Sequence, residues 1–199
     1  FASLLALSCP VFGGEADPDL GERIFQEECV RCHGNDATGG KDGEYPRLAG
    51  LPSGYLTLQL ANFRDRKRKN KPMLPIFKTG RLRKDQIEAV AAWLSTLPVP
   101  DAADLGVPER VEGDLELGEE LYVTDCALCH GLDGQGKEDT DNPPVVPQYP
   151  RYVIKQMVDF RNGRRWHEYG KQLFGEAEPD ELDALVAYIL HLNHNPPTP

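Results

Sequence analysis

Methionine is scarce in this 199-residue chain, which has only two. Beyond the first dozen residues no run approaches the roughly eighteen apolar residues that a transmembrane helix needs. No segment alternates apolar and polar residues as a half-buried strand does. Basic residues are also short: 22 Lys and Arg against 32 Asp and Glu leave a formal charge of −10. These absences exclude a membrane span in the body of the chain, a sheet-based fold and a cationic nucleic-acid binder. They leave an acidic helical protein suited to a basic partner.

Glycine and proline are plentiful, 19 and 17 residues, so much of the chain is expected in loops. A domain of about 90 residues buries a marginal core unless a large apolar group fills it. The chain begins "FASLLALSCPVFGGEADP". Residues 1–16 read as the end of a secretory signal peptide, with cleavage expected near Gly13 or Ala16. This predicts an exported, periplasmic protein. Cys9 lies inside the segment, and "ALSC" is an imperfect lipoprotein signal because Leu7 sits where a small residue is usual, so a lipid anchor is the second reading.

The other four cysteines form two groups, "CVRCH" at 29–33 and "CALCH" at 126–130. C-x-x-C-H is a c-type haem attachment pattern. A redox disulfide or a zinc site competes for a lone C-x-x-C. Here His follows the second Cys both times, and Gly34 and Gly131 follow the histidines. A zinc knuckle uses separated ligand pairs, and a thioredoxin motif needs a βαβ context that is missing. Two covalently bound haem c groups are therefore predicted.

The chain is an internal repeat. "LGERIFQEECVRCHG" (20–34) aligns with "LGEELYVTDCALCHG" (117–131) at an offset of 97. "YLTLQLANFRDRKR" (55–68) aligns with "YVIKQMVDFRNGRR" (152–165) at the same offset, and "DQIEAVAAWLSTL" (85–97) with "DELDALVAYILHL" (180–192) at 95. The blocks have helical periodicity: Ile87, Val90, Ala91 and Leu94 share a face, as do Leu182, Leu185, Val186 and Ile189. Leu56, Leu60 and Phe63 form a second stripe, matched by Val153, Met157 and Phe160. The Pro-, Asp- and Gly-rich stretch "PVPDAADLGVPERVEGD" reads as the linker. The expected division is 17–98 for domain 1, 99–113 for the linker and 114–195 for domain 2.

A helix ending in C-x-x-C-H-G, a proline-containing loop "YPRLAG", a "YLxxQLxxF" helix, a Met-containing loop and a last helix bearing Trp93 or Tyr188 follow one another. This order resembles a class I cytochrome c domain, here duplicated, and the chain from about Asp17 to Asn195 is similar to cytochrome c4-type dihaem proteins. The dihaem subunit of flavocytochrome c sulfide dehydrogenase is similar in build. The resemblance implies two tandem all-α haem domains that relay electrons in the periplasm. It implies redox partners: a terminal oxidase, a quinol-oxidising complex or a flavoprotein dehydrogenase.

Two thiols one helical turn apart suit the two vinyl groups of a haem, and the adjacent histidine suits the iron. Cys29, Cys32 and His33 are thus assigned to haem 1, and Cys126, Cys129 and His130 to haem 2. The resemblance implies that a loop proline carbonyl accepts the histidine's other N–H: Pro46 in copy one, Pro143 or Pro144 in copy two. Met73, forty residues past His33 in "NKPMLPIF", matches the family's sixth ligand. Copy two departs from the pattern. Gly170 stands at the position of Met73, and Met157 falls in the core stripe. His167 in "RRWHEYGKQLF", thirty-seven residues past His130, is the expected replacement, with Tyr169 and Lys171 as alternatives. His191 and His194 are expected at a helix end and in the tail, in solvent.

Met/His ligation raises haem potential, so haem 2 is expected to be the lower, with electrons entering there and leaving from haem 1. The basic run "RDRKRKNK" (64–71), echoed by Arg161, Arg164 and Arg165, reads as pairing with haem propionates across the domain interface or as docking of an acidic partner, or as solvated cations at a helix C-terminus. An enzyme with haem 2 as reaction centre is the remaining reading. Thiosulfate dehydrogenases and dihaem peroxidases are built from similar domains, but outside Cys9 no cysteine is spare to serve as an active-site ligand.

Overall fold

The computed structural model describes residues 16–78, 82–137, 142–195 and 197. Cys9 and Gly13 lie outside the described residues. Among these residues the chain is helical, with one isolated bridge between Gly40 and Tyr45 and no strand. The first copy contains α1 (Pro18–Glu28), α2 (Val30–His33), α3 (Ser53–Arg64), α4 (Leu74–Phe77) and α5 (Lys84–Thr96). The second contains α6 (Leu115–Asp125), α7 (Ala127–His130), α8 (Pro150–Arg161), α9 (Gly170–Phe174) and α10 (Pro179–His194).

Each copy starts the same way. Asp17 and Asp114 cap α1 and α6 by accepting the second and third helical N–H groups through a carboxylate oxygen. The expected single helix into each C-x-x-C-H breaks at its first cysteine. Cys29 (φ −114°) and Cys126 (φ −115°) end one helix, and a short turn carries the second cysteine and the histidine. That turn closes on Gly34 (φ 79°) and Gly131 (φ 81°), a left-handed conformation that glycine adopts without strain.

In each copy the first helix packs across the last, α1 on α5 and α6 on α10. The crossing is backbone against backbone. A Cβ on Gly21 would stand 2.1 Å from the Ala89 carbonyl oxygen, and one on Gly118 would stand 2.1 Å from that of Ala184. Aromatic pairs finish both crossings: Phe25 and Trp93 with ring centres 4.9 Å apart, Tyr122 and Tyr188 at 5.5 Å. The predicted stripe Ile87, Val90, Ala91 and Leu94 is buried, as is its counterpart on α10.

Among the described residues there are two hydrophobic cores, one per copy. The segment read as a linker does more than connect. Ala102, Leu105 and Val107 are buried in the core of the second copy. The C-terminal helix runs to His194, which the sequence reading placed in the tail, and His191, in its last turn as expected, is partly exposed with its ring 6.2 Å from that of Tyr188.

The copies meet along a polar seam. Gln148 pairs with the backbone of Arg47, accepting its N–H at 3.1 Å and donating to its carbonyl at 3.1 Å. Arg47 Nε donates to Pro147 O at 2.8 Å, and its guanidinium also reaches Ala49 O. Tyr149 OH donates to Thr38 O at 3.2 Å, and Lys69 N–H donates to Arg164 O at 2.8 Å. Arg47 is 1 % exposed, so this staple lies fully inside.

Candidate haem sites

Each C-x-x-C-H turn presents its side chains in the same way. The cysteines are free thiols, half-buried, and burial pushes Cys29 and Cys126 up to about 12. His33 is buried, and its Nδ1 donates to Pro46 O at 3.1 Å. His130 Nδ1 donates to Pro143 O at 2.8 Å, which chooses Pro143 over Pro144 as the hydrogen-bond partner. Burial holds both histidines below the ordinary imidazole range, so they are neutral. A neutral ring with its proton fixed on Nδ1 keeps the Nε2 lone pair free for a metal.

The loops facing these turns differ. In copy one, Met73 is the N-cap of α4 and packs, half-buried, against the first core. Phe63 and Phe77 stack behind it at 6.1 Å. Copy two repeats the aromatic pair, Phe160 and Phe174 at 5.7 Å, but Gly170 stands where Met73 does. A histidine uses the space. The His167 ring lies 4.8 Å from Phe160 and 6.1 Å from Phe174. A Cβ on Gly170 would come 3.1 Å from that of His167, so a side chain there would crowd the ring. Tyr169 is 48 % exposed and points away from burial, and the Lys171 side chain lies outside the described residues.

The His130 and His167 ring centres lie 6.3 Å apart, with planes 30° from parallel. Metal–imidazole bonds of about 2 Å on each side, plus the depth of the two rings, require a centre-to-centre distance of roughly 6 Å. The residues of this site therefore fit a haem iron held between two imidazoles. Burial, His130 and Arg165 depress His167 to about 4, which keeps it neutral. One contact is not preset: Tyr169 N–H donates to His167 Nδ1 at 3.3 Å, a bond that gives way once Nδ1 carries the proton.

Three features escaped the sequence reading. Gly21 and Gly118 let the helices cross, and their signal was present, a helix-interior glycine retained in both copies. Tyr122 OH donates to Gly131 O at 2.8 Å, tying α6 to the end of the haem turn, whereas Phe25 occupies that position in copy one. Arg47 has no signal in the repeat, because Pro144 is its counterpart.

Two C-x-x-C-H turns, each in its own helical unit and each with its histidine backed by a proline carbonyl, define a dihaem c-type cytochrome. The chain belongs to the cytochrome c family, whose model ("Cytochrome c") matches residues 18–98 and 115–193. It is 34 % identical over 173 residues to a "Thiosulfate dehydrogenase electron acceptor" of Stutzerimonas stutzeri, covering 82 % of this chain and 78 % of that one. It is 31 % identical over 188 residues to a "Cytochrome c4" of Azotobacter vinelandii, covering 83 % and 84 %. The fold matches reduced recombinant cytochrome c4 from Pseudomonas stutzeri with a TM-score of 0.72 at 23 % identity, covering 88 % of this chain and 98 % of that one. The protein is thus a cytochrome c4-like electron carrier with two covalently bound haem c groups. No helix among the described residues is long and apolar enough to cross a membrane.

Proposed function

We propose that this chain is an exported, periplasmic relay that accepts electrons from a thiosulfate-oxidising partner and passes them to a respiratory acceptor such as a terminal oxidase. Its units are 17–98 and 114–195, joined by 99–113, with residues 1–16 as the export signal. In the first unit Cys29, Cys32 and His33 hold haem 1, and Met73 completes its iron. In the second Cys126, Cys129 and His130 hold haem 2, and His167 completes its iron. Each haem supplies reversible one-electron chemistry. The protein would fix the tautomers of His33 and His130 through Pro46 and Pro143 and set the potentials through the choice of sixth ligand. Domain 2, with two imidazoles, is the receiving end, and domain 1, with a thioether, the delivering end.

The observation that carries this reading is the pair of imidazoles 6.3 Å apart at His130 and His167. Full coordination favours electron transfer over substrate chemistry at haem 2. The thiosulfate-linked partner is supported by the similarity to the Stutzerimonas stutzeri acceptor. The test is EPR with optical spectroscopy on wild type and His167→Ala. The wild type should show one His/Met and one His/His low-spin haem and should not bind carbon monoxide quickly. The variant should lose only the His/His signal and gain a carbon monoxide adduct. An unchanged haem 2 in the variant rules out His167 as the ligand. Electron uptake from a purified thiosulfate-oxidising dehydrogenase, followed by stopped-flow, tests the partner.

A further inference from the structure

Arg68 and Arg165 are repeat counterparts, and so are Tyr55 and Tyr152, and Gln59 and Gln156, all at the offset of 97. The structure brings all six residues together at the seam between the copies. Arg68 donates to its own Gln59 Oε1 at 2.9 Å and crosses to Tyr152 OH at 3.0 Å and Gln156 Oε1 at 2.8 Å. Arg165 crosses the other way to Tyr55 OH at 2.7 Å and donates to its own Gln156 Oε1 at 2.9 Å. Two guanidiniums therefore share one amide oxygen.

The charges on this seam are unbalanced. Arg68 is 7 % exposed and Arg165 8 %. Among the described residues no carboxylate forms an ion pair with either, since nearby Asp159 pairs with Lys155 and Arg164. All their side-chain acceptors are neutral. Two buried donors still lack a partner, Arg165 Nε and Gln156 Nε2. A buried cation without an anion is costly, and two sharing a single acceptor repel each other. Arg47 on the same seam differs, because backbone carbonyls satisfy it. Such an arrangement is stable when an anion with several acceptor oxygens joins it, and guanidinium forks suit carboxylates.

The seam also touches both haem sites. The Arg68 guanidinium lies 4.4 Å over the Phe63 ring, which stacks on Phe77 behind the Met73 loop. That of Arg165 lies 4.8 Å over Phe160, which packs on His167.

We infer that Arg68 and Arg165 form one shared cationic seat for propionate carboxylates of both haems, so that each guanidinium acts on both redox centres rather than on the haem of its own copy. The inference rests on the dihaem reading above. A positive charge opposes the extra charge of an oxidised haem, and its influence falls only slowly with distance inside a protein. The seat therefore raises both potentials together and couples the two sites, while the sixth ligands set them apart.

The experiment is spectroelectrochemical titration of the full holoprotein, once two haems per chain have been confirmed by the alkaline pyridine assay. A chain with fewer haems sinks the dihaem reading and leaves no seat to measure. Arg68→Gln should lower both midpoint potentials, and Arg68→Lys should restore most of the loss. Arg64→Gln, which removes an exposed cation from the same basic run, should change neither. A change confined to haem 1, or none, overturns the shared seat. If Arg68→Gln does not fold, Gln156→Ala removes the common acceptor while keeping both cations, and both potentials should again move. Repeating the wild-type titration with inorganic phosphate in place of chloride separates the sources of the anion. Insensitivity to phosphate is expected, and potentials that follow phosphate and lose that response in Arg68→Gln mark a seat for a free anion instead.

Discussion

On the attachment side of each C-x-x-C-H turn, the two halves of the molecule share their construction down to single hydrogen bonds. An aspartate caps the helix, the helix breaks at the first cysteine, a left-handed glycine closes the turn, and a proline carbonyl holds the histidine proton. On the opposite side they diverge. The first half offers a thioether at the start of α4; the second has a glycine there and a histidine three residues earlier. Duplication has kept the C-x-x-C-H turn and varied the side chain opposite it, which in the function proposed above is the one that tunes the metal. The lesson is that attachment and tuning are separable because they sit on different elements, and each half can be altered on one side without disturbing the other.

The largest expected effect comes from erasing that difference. Met73→His should give domain 1 two imidazoles and draw its potential down by a substantial part of the roughly 0.8 V that axial ligands control. Redox titration should then show two transitions merging toward the lower one. Two transitions as far apart as in the wild type would show that the sixth ligand is not what separates the halves.

Acid should separate the halves in the opposite sense. A thioether has no proton to gain, whereas His167 does. Its pKa in the folded chain, about 4, lies below the 6.5 of the free side chain. In the chain without haem the unfolded state therefore takes up this proton first as pH falls, and the associated stability is complete above about 6.5 and lost progressively toward about 4; with haem bound, the same proton competes with the iron for the imidazole. Optical spectra recorded through this range should show haem 2 changing while haem 1 stays constant. Simultaneous change at both haems would point to global acid unfolding instead.

Next in size is the helix crossing, where the halves should behave alike. Gly21→Ala and Gly118→Ala each force a methyl group into a carbonyl 2.1 Å away. Overpacking of this kind costs about 1–3 kcal/mol. Thermal unfolding of the holoprotein should drop by similar amounts in the two variants. A cost in one half alone would mean that the crossings are not equivalent.

What could be read from residues alone followed the same division. The two all-α domains were legible because the repeat doubled every helical stripe, and Ile87 with Leu182 could be compared directly. The histidine facing His130 was suggested by a vacancy, Gly170 in the place of Met73, together with one imidazole nearby. The seam was legible only in outline, because the basic run suggested a haem-propionate contact across the domain interface as one of its readings. The basic run gave no hint that Arg68 turns inward while Arg64 pairs with its neighbour Asp65, because only tertiary packing decides which cation is buried. The linker's role was equally hidden. Ala102, Leu105 and Val107 are too sparse to form a periodic pattern, yet they close the second core.

The smallest effect tests the one place where the attachment sides differ. Tyr122 donates to Gly131 O, and Phe25 has no such group. Gly131 ends the haem turn, so the bond ties the turn to the body of α6 and supplements the proline carbonyl. Tyr122→Phe removes the hydroxyl and keeps the ring packed against Tyr188, 5.5 Å away. The loss should be about 1 kcal/mol, the usual net worth of a hydrogen bond. It should appear in thermal unfolding and leave both potentials where they were. The converse variant, Phe25→Tyr, sharpens the comparison, because its hydroxyl enters a site where Gly34 offers the equivalent carbonyl. A gain there, mirrored by the loss at Tyr122, would show that the two turns are interchangeable. A loss in both would show that the first domain has closed around its phenylalanine and that attachment, too, has begun to diverge.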